Sequence, residues 1–118
     1  MKNSDLELAK NLYQTKDLIR SETLFQKVYQ TGTLPEQVEA AFFLEKIYGI
    51  FHSTFSKIKP YFEFITKYGD DNFKGQAYMD LGIYYRNQKS YVKMFNFYQE
   101  ALKYIPNDLR LITEVANY

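Results

Sequence analysis

The chain has 118 residues, 46% of them apolar, which suits one compact domain with a buried core. A net charge of +1 with 25% charged residues excludes a disordered acidic or basic tail. It also argues against a nucleic-acid surface, whose phosphates demand clustered positive charge.

The apolar periodicity is helical nearly throughout, and no alternation lasts a strand's length. The first helix is expected to open at Ser4, with Glu7 completing a capping box and Leu8, Leu12 and Tyr13 on one side. A turn at Thr15–Asp17 leads to a second helix through Leu18, Leu24, Phe25, Val28 and Tyr29. Gly32 is the expected stop, taking the left-handed conformation at little cost. Thr33 and Glu36 form a second capping box, with Pro35 in the first turn, where it costs no hydrogen bond. The third helix runs to about Phe51. One stripe is Ala40, Phe43, Leu44 and Ile47, and a second is Ala41, Phe42, Tyr48 and Ile50, so it should be buried on several sides.

The fourth helix carries Phe55, Ile58, Phe62, Ile65 and Tyr68, and Pro60 predicts a late start or a kink. A fifth helix is expected from about Phe73 to Asn87 and a sixth from Ser90 to Tyr104. Pro106, Asn107 and Asp108 break the chain and cap a last helix, with Leu109, Ile112 and Val115 inward. Seven helices with short links predict an all-α chain of antiparallel hairpins.

Residues 75–108 span thirty-four positions with Tyr78, Leu81, Gly82, Tyr85, Tyr91, Tyr98, Ala101 and Pro106 at fixed offsets. This window resembles a tetratricopeptide repeat, with Met94 standing where the family usually has a small residue. Residues 2–35 follow the pattern more weakly, with Leu8 and Ala9, Leu12, then Leu18, Ser21, Phe25 and Val28. Residues 37–71 do so through Phe55, Ile58, Phe62 and Ile65. In that repeat either Leu44 or Ala41 takes the small-residue place, and the "FHST" turn looks extended. The resemblance implies a right-handed α-solenoid of about three helical hairpins in a single domain, 1–118, with a capping helix at 107–117.

Few residues invite chemistry. His52 is the single histidine and Ser53 and Thr54 beside it read as turn and cap residues, so neither catalysis nor metal binding is expected. Asp70, Asn72, Lys74 and Gly75 hint at a calcium loop. Lys74 stands at a ligand position, however, and Leu81 where a bidentate Glu is required. Lys57, Lys59 and Lys67 near Tyr61 and Phe62 are interrupted by Glu63 and read as a solvated face. No cysteine is present, "MKNSDLELAK" has no apolar run of a signal peptide, and "AAFFL" is too short to span a bilayer. A cytoplasmic protein without cofactor, metal, membrane or nucleic-acid partner is expected.

The resemblance implies a non-enzymatic module whose first helices line a concave groove for a peptide or partner helix. Carried over residue by residue, that groove holds Lys10, Tyr13 and Gln14 from the first repeat. The second repeat supplies Glu45 and Tyr48, and the third Met79, Ile83, Arg86 and Asn87. Some members of the family clamp chaperone carboxylates. The corresponding places here hold Leu6, Lys10, Phe42, Gln76 and Asp80, of which only Lys10 could serve. Two alternatives are a fragment of a bacterial peptide-sensing transcriptional regulator, and a structural module forming a homo-oligomer through its terminal helices.

Overall fold

The computed structural model describes residues 3–117. The described residues form seven α-helices and no strand: α1 Ser4–Gln14, α2 Leu18–Thr31, α3 Leu34–Ile50, α4 Phe55–Tyr68, α5 Asp71–Asn87, α6 Tyr91–Tyr104 and α7 Leu109–Asn117. They fall into two compact units, residues 1–68 and 69–118. In the first, α1 packs on α2, α2 on α3 and α3 on α4. In the second, α5 packs on α6 and α6 on α7. The chain is therefore all-α, built from sequence-adjacent helices.

The helix starts follow local chemistry. Thr33 and Glu36 make the reciprocal capping box, with Pro35 in the first turn. Asp17 caps α2, and Asp70 caps α5 by accepting the Phe73 N–H at 2.9 Å. The acids that hinted at a calcium loop thus begin a helix. At the start of α1 the cap is Asn3, whose side chain accepts from Leu6, and Ser4 is already helical. Pro60 neither delays nor ends α4, which starts at Phe55 and runs through it. Gly32 is extended (φ −78°, ψ 174°), not left-handed. A Cβ there would lie 2.8 Å from the Val28 carbonyl oxygen, so it is space that favours glycine.

The left-handed positions are Lys16, His52 and Lys89, with φ of 69°, 55° and 60°. Each closes one hairpin by the same pair of hydrogen bonds. Their own N–H groups reach the carbonyls of Tyr13, Gly49 and Arg86. The next N–H groups, of Asp17, Ser53 and Ser90, reach Leu12, Tyr48 and Tyr85, each at 2.9 Å. This is the Schellman motif, which satisfies carbonyls left over at a helix end. The three turn residues lie thirty-six and thirty-seven positions apart. The second turn has one extra residue before the next helix, as the "FHST" stretch predicts.

Counting from these turn residues puts the hairpins in register. Buried positions in the second helices are Ser21, Phe25 and Val28, then Ile58, Phe62 and Ile65, then Met94, Tyr98 and Ala101. Each set has i, i+4, i+7 spacing, the stripe one helix face presents to its neighbour. Seven positions before the turn residue stand Ala9, Glu45 and Gly82, all buried. Neither Leu44 nor Ala41 takes the small-residue place of the second hairpin; Glu45 does. Where α5 meets α6, a Cβ on Gly82 would lie 2.5 Å from the Tyr98 ring and 3.3 Å from the Met94 carbonyl. The helices therefore approach to backbone range despite Met94.

Two expected faces are turned. In α1 the buried residues are Leu6 and Ala9, while Leu8 is half exposed. In α7 the inward residues are Leu111, buried against Met79, Met94, Tyr98 and Ala101, and Val115 beside it. Leu109 and Ile112 point outward at 77% and 42% exposure. Both sets have helical spacing, and packing on α6 selects the one with the deeper leucine.

Candidate functional site

On α1, Lys10 lies between Glu39 at 2.7 Å and Glu7 at 3.3 Å. Hydrogen bonding to Glu39 holds its ammonium above its ordinary pKa. Tyr13 meets Phe43 edge to face at 5.1 Å, and Phe43 stacks on Phe25 at 4.8 Å. Gln14 is exposed. The α1 stripe is thus partly covered by α3.

Glu45 and Tyr48 do not lie on an open face. They are 4% and 3% exposed. They stand seven and four positions before the turn residue, the places of Gly82 and Tyr85, which look into the hairpin. The Tyr48 hydroxyl accepts from Gln26 Nε2 at 3.0 Å, and the same nitrogen donates to the Tyr61 hydroxyl at 2.7 Å. Burial, followed by a hydrogen bond with Glu22, pushes the Tyr48 phenol far above its ordinary pKa. The α3 residues in register with Ile83, Arg86 and Asn87 are Lys46, Gly49 and Ile50. Sequence reasoning missed them because Glu45 is not small and the left-handed His52 is not glycine.

In the second unit, Met79, Ile83 and Arg86 come together on one stripe of α5. They line a half-open cavity of about 160 Å³ with Tyr98 of α6 and Leu111 of α7 at its floor. Met79, Tyr98 and Leu111 are buried. The rim carries Arg86, Arg110 and Glu114. Arg86 reaches Glu114 at 3.7 Å, both side chains about half exposed. Burial raises the Tyr98 phenol pKa, while the charge of Arg86 acts to lower it. Arg110 is held by Asp108 at 3.3 Å. Asn87 is exposed, away from this cavity. The arrangement offers an apolar floor, one buried hydroxyl and a rim of opposed charges.

His52 is exposed in its turn. Lys57 lies over the Tyr48 ring at 4.8 Å and Lys67 over Tyr68 at 5.1 Å, so these cations already engage aromatic faces. Among the described residues no three of His, Cys, Asp and Glu gather as a metal site requires, and no helix is long and apolar enough to cross a membrane. Compared with known proteins, the sequence matches no family model and no curated protein.

Proposed function

We propose that the chain is a non-enzymatic, cytoplasmic protein–protein interaction module of tetratricopeptide-like hairpins that binds a peptide or partner helix on the outward stripe of its first helices. The observation that carries this reading is the α5 stripe, where Ile83 and Arg86 border an apolar cavity with a charged rim, over the buried Met79. Pockets of that make-up bind apolar anchors and orient them with a few polar groups. The threefold recurrence of one turn and one buried stripe supports the hairpin-repeat part. The test is capture from native lysate by immobilised wild-type chain and by Ile83→Lys with unchanged melting temperature. A partner kept by the first and lost from the second supports the reading. A partner kept equally by both refutes the α5 stripe as its site.

The outward Leu109 and Ile112 favour a second reading, self-association through α7. Sedimentation decides it: an oligomer dispersed by Leu109→Glu supports this reading, and a monomer at all concentrations refutes it.

A further inference from the structure

Charge is unevenly placed along the chain. Residues 46–62 turn from α3 into α4, and residues 81–99 turn from α5 into α6. These two runs hold six of the fifteen Lys and Arg and none of the fourteen Asp and Glu. The other residues hold nine cations against fourteen acids, so a near-neutral chain carries two basic hairpin ends. Lys57, Lys59, Lys89 and Lys93 are exposed there. Lys57 and Lys93 lie over the Tyr48 and Tyr85 rings, at 4.8 and 5.2 Å, and keep their charge because the rings are neutral. From other elements, Glu114 pairs with Arg86 at 3.7 Å and Glu22 lies beside the Tyr48 hydroxyl. Among the described residues no acid pairs with any of the four lysines. Apolar groups stand at the same ends. Ile50 and Phe51 are 51% and 42% exposed, and the Phe51 ring lies 6.5 Å from that of Tyr48, which carries Lys57. Tyr91 and Val92 open α6 at 50% and 67% exposure, with Lys93 next in sequence.

We infer that each of these two hairpin ends rests on an anionic lipid surface. The lysines lie in the headgroup layer, and Ile50, Phe51, Tyr91 and Val92 dip to the acyl boundary. This is contact with a surface, which needs no helix long enough to span a bilayer, and it departs from the expectation that the chain has no membrane partner. Three observations select lipid over other polyanions. Half-exposed aliphatic groups such as Ile50 and Val92 gain burial in lipid and have no use against nucleic acid, which stacks on aromatic faces. Five of the six cations are Lys, and the one Arg, whose fork suits phosphate and carboxylate best, is already held by Glu114. The apolar pairs also stand at hairpin ends and not in a groove, so a fluid layer receives them without a matching concave partner.

The chain has no cysteine, so single labels report one site each. Ile50→Cys and Val92→Cys, carrying an environment-sensitive fluorophore, are mixed with phosphatidylcholine vesicles with and without phosphatidylserine. Both labels should shift to the blue on the anionic vesicles only. A label at Gln30→Cys, exposed near the far end of α2, should not shift. Lys57→Gln, Lys59→Gln, Lys89→Gln and Lys93→Gln should each weaken vesicle co-sedimentation by up to about fivefold, and the four together should abolish it with the melting temperature unchanged. Raising the salt should weaken binding as well. No shift at either end, equal shifts without phosphatidylserine, a shift at Gln30→Cys as large, or undiminished binding by the four-lysine variant overturns the inference. A shift at one end alone overturns it for the other. Tighter binding of a single-stranded oligonucleotide than of the vesicles at the same salt overturns the choice of lipid. None of these outcomes bears on the Ile83→Lys capture, so this inference and the module reading fail separately.

Discussion

Gly82 and Gly49 form a matched pair. Both sit in helices of 17 residues, α5 and α3. At Gly82 a Cβ would lie 2.5 Å from Cδ1 and Cε1 of Tyr98, closer than real Cβ contacts come, with the Met94 carbonyl at 3.3 Å. The Tyr98 ring is 1% exposed and enclosed by Met79, Met94, Ala101 and Leu111. Alanine in place of Gly82 must shift this buried ring or part α5 from α6. Overpacking of this kind costs about 1–3 kcal/mol. At Gly49 nothing lies within 4 Å. Alanine there only removes backbone freedom, a gain of about 1 kcal/mol, and the same gain offsets part of the cost at Gly82. The two substitutions should therefore differ by about 1–3 kcal/mol, with Gly49→Ala stabilising and Gly82→Ala neutral to destabilising by about 2 kcal/mol. Because the glycines lie in different units, urea unfolding is paired with amide exchange of each helix. Stabilisation by Gly82→Ala equal to that by Gly49→Ala would refute the close approach of α5 and α6.

Lys16→Gly, His52→Gly and Lys89→Gly should each stabilise by up to about 1 kcal/mol, since the left-handed conformation costs an L residue about 1–2 kcal/mol and glycine's extra chain freedom returns part of that. Melting temperatures that fall in all three would show that their side chains hold the turns. Thr33→Ala should cost about 1 kcal/mol through loss of the α3 cap, read by urea unfolding. The Thr33 backbone N–H, ahead of Asn3, holds the Glu36 carboxyl below its ordinary 4.5. A depressed pKa gives stability that is present above that value and lost as pH falls through the folded one. Stability should therefore decline on acidification below about pH 4.5, and Glu36→Gln should flatten the decline. At the alkaline end, burial raises the phenols of Tyr29, Tyr48, Tyr78 and Tyr98 above their ordinary 10.0. Stability is then complete below that value and falls as pH rises beyond it. Ultraviolet difference spectra should show these phenols ionising together with unfolding, and their free titration near pH 10 in the folded chain would contradict the burial.

Helix number and most boundaries were legible because apolar spacing and capping residues are local signals. The third hairpin was legible in detail, since Gly82, Ala101 and Tyr98 are residues whose size alone marks a close crossing. The second was not. Its interior place holds Glu45, its turn residue is His52 where glycine is the usual signal, and one extra residue lengthens the turn. Each of these hides the register, and the shift by one position exchanged buried Glu45 and Tyr48 for Lys46 and Gly49. The inward face of α7 was ambiguous for another reason. Leu109 and Ile112, and Leu111 and Val115, both have helical spacing, and only the shape of the α6 surface chooses between them.

The turn therefore carries the repeat more faithfully than the side chains do. Three non-glycine residues accept a left-handed backbone, and at each the hydrogen bond to Leu12, Tyr48 or Tyr85 closes the first helix of its hairpin. Once that geometry is set, positions seven before the turn and nine after it in the first and third hairpins must fit each other, as Gly82 fits Tyr98. Positions six, three and two before it carry no such constraint. They hold Lys10, Tyr13 and Gln14 in α1, Lys46, Gly49 and Ile50 in α3, and Ile83, Arg86 and Asn87 in α5. One hairpin frame can thus present a basic, a nearly bare and an apolar-cationic stripe without altering its core.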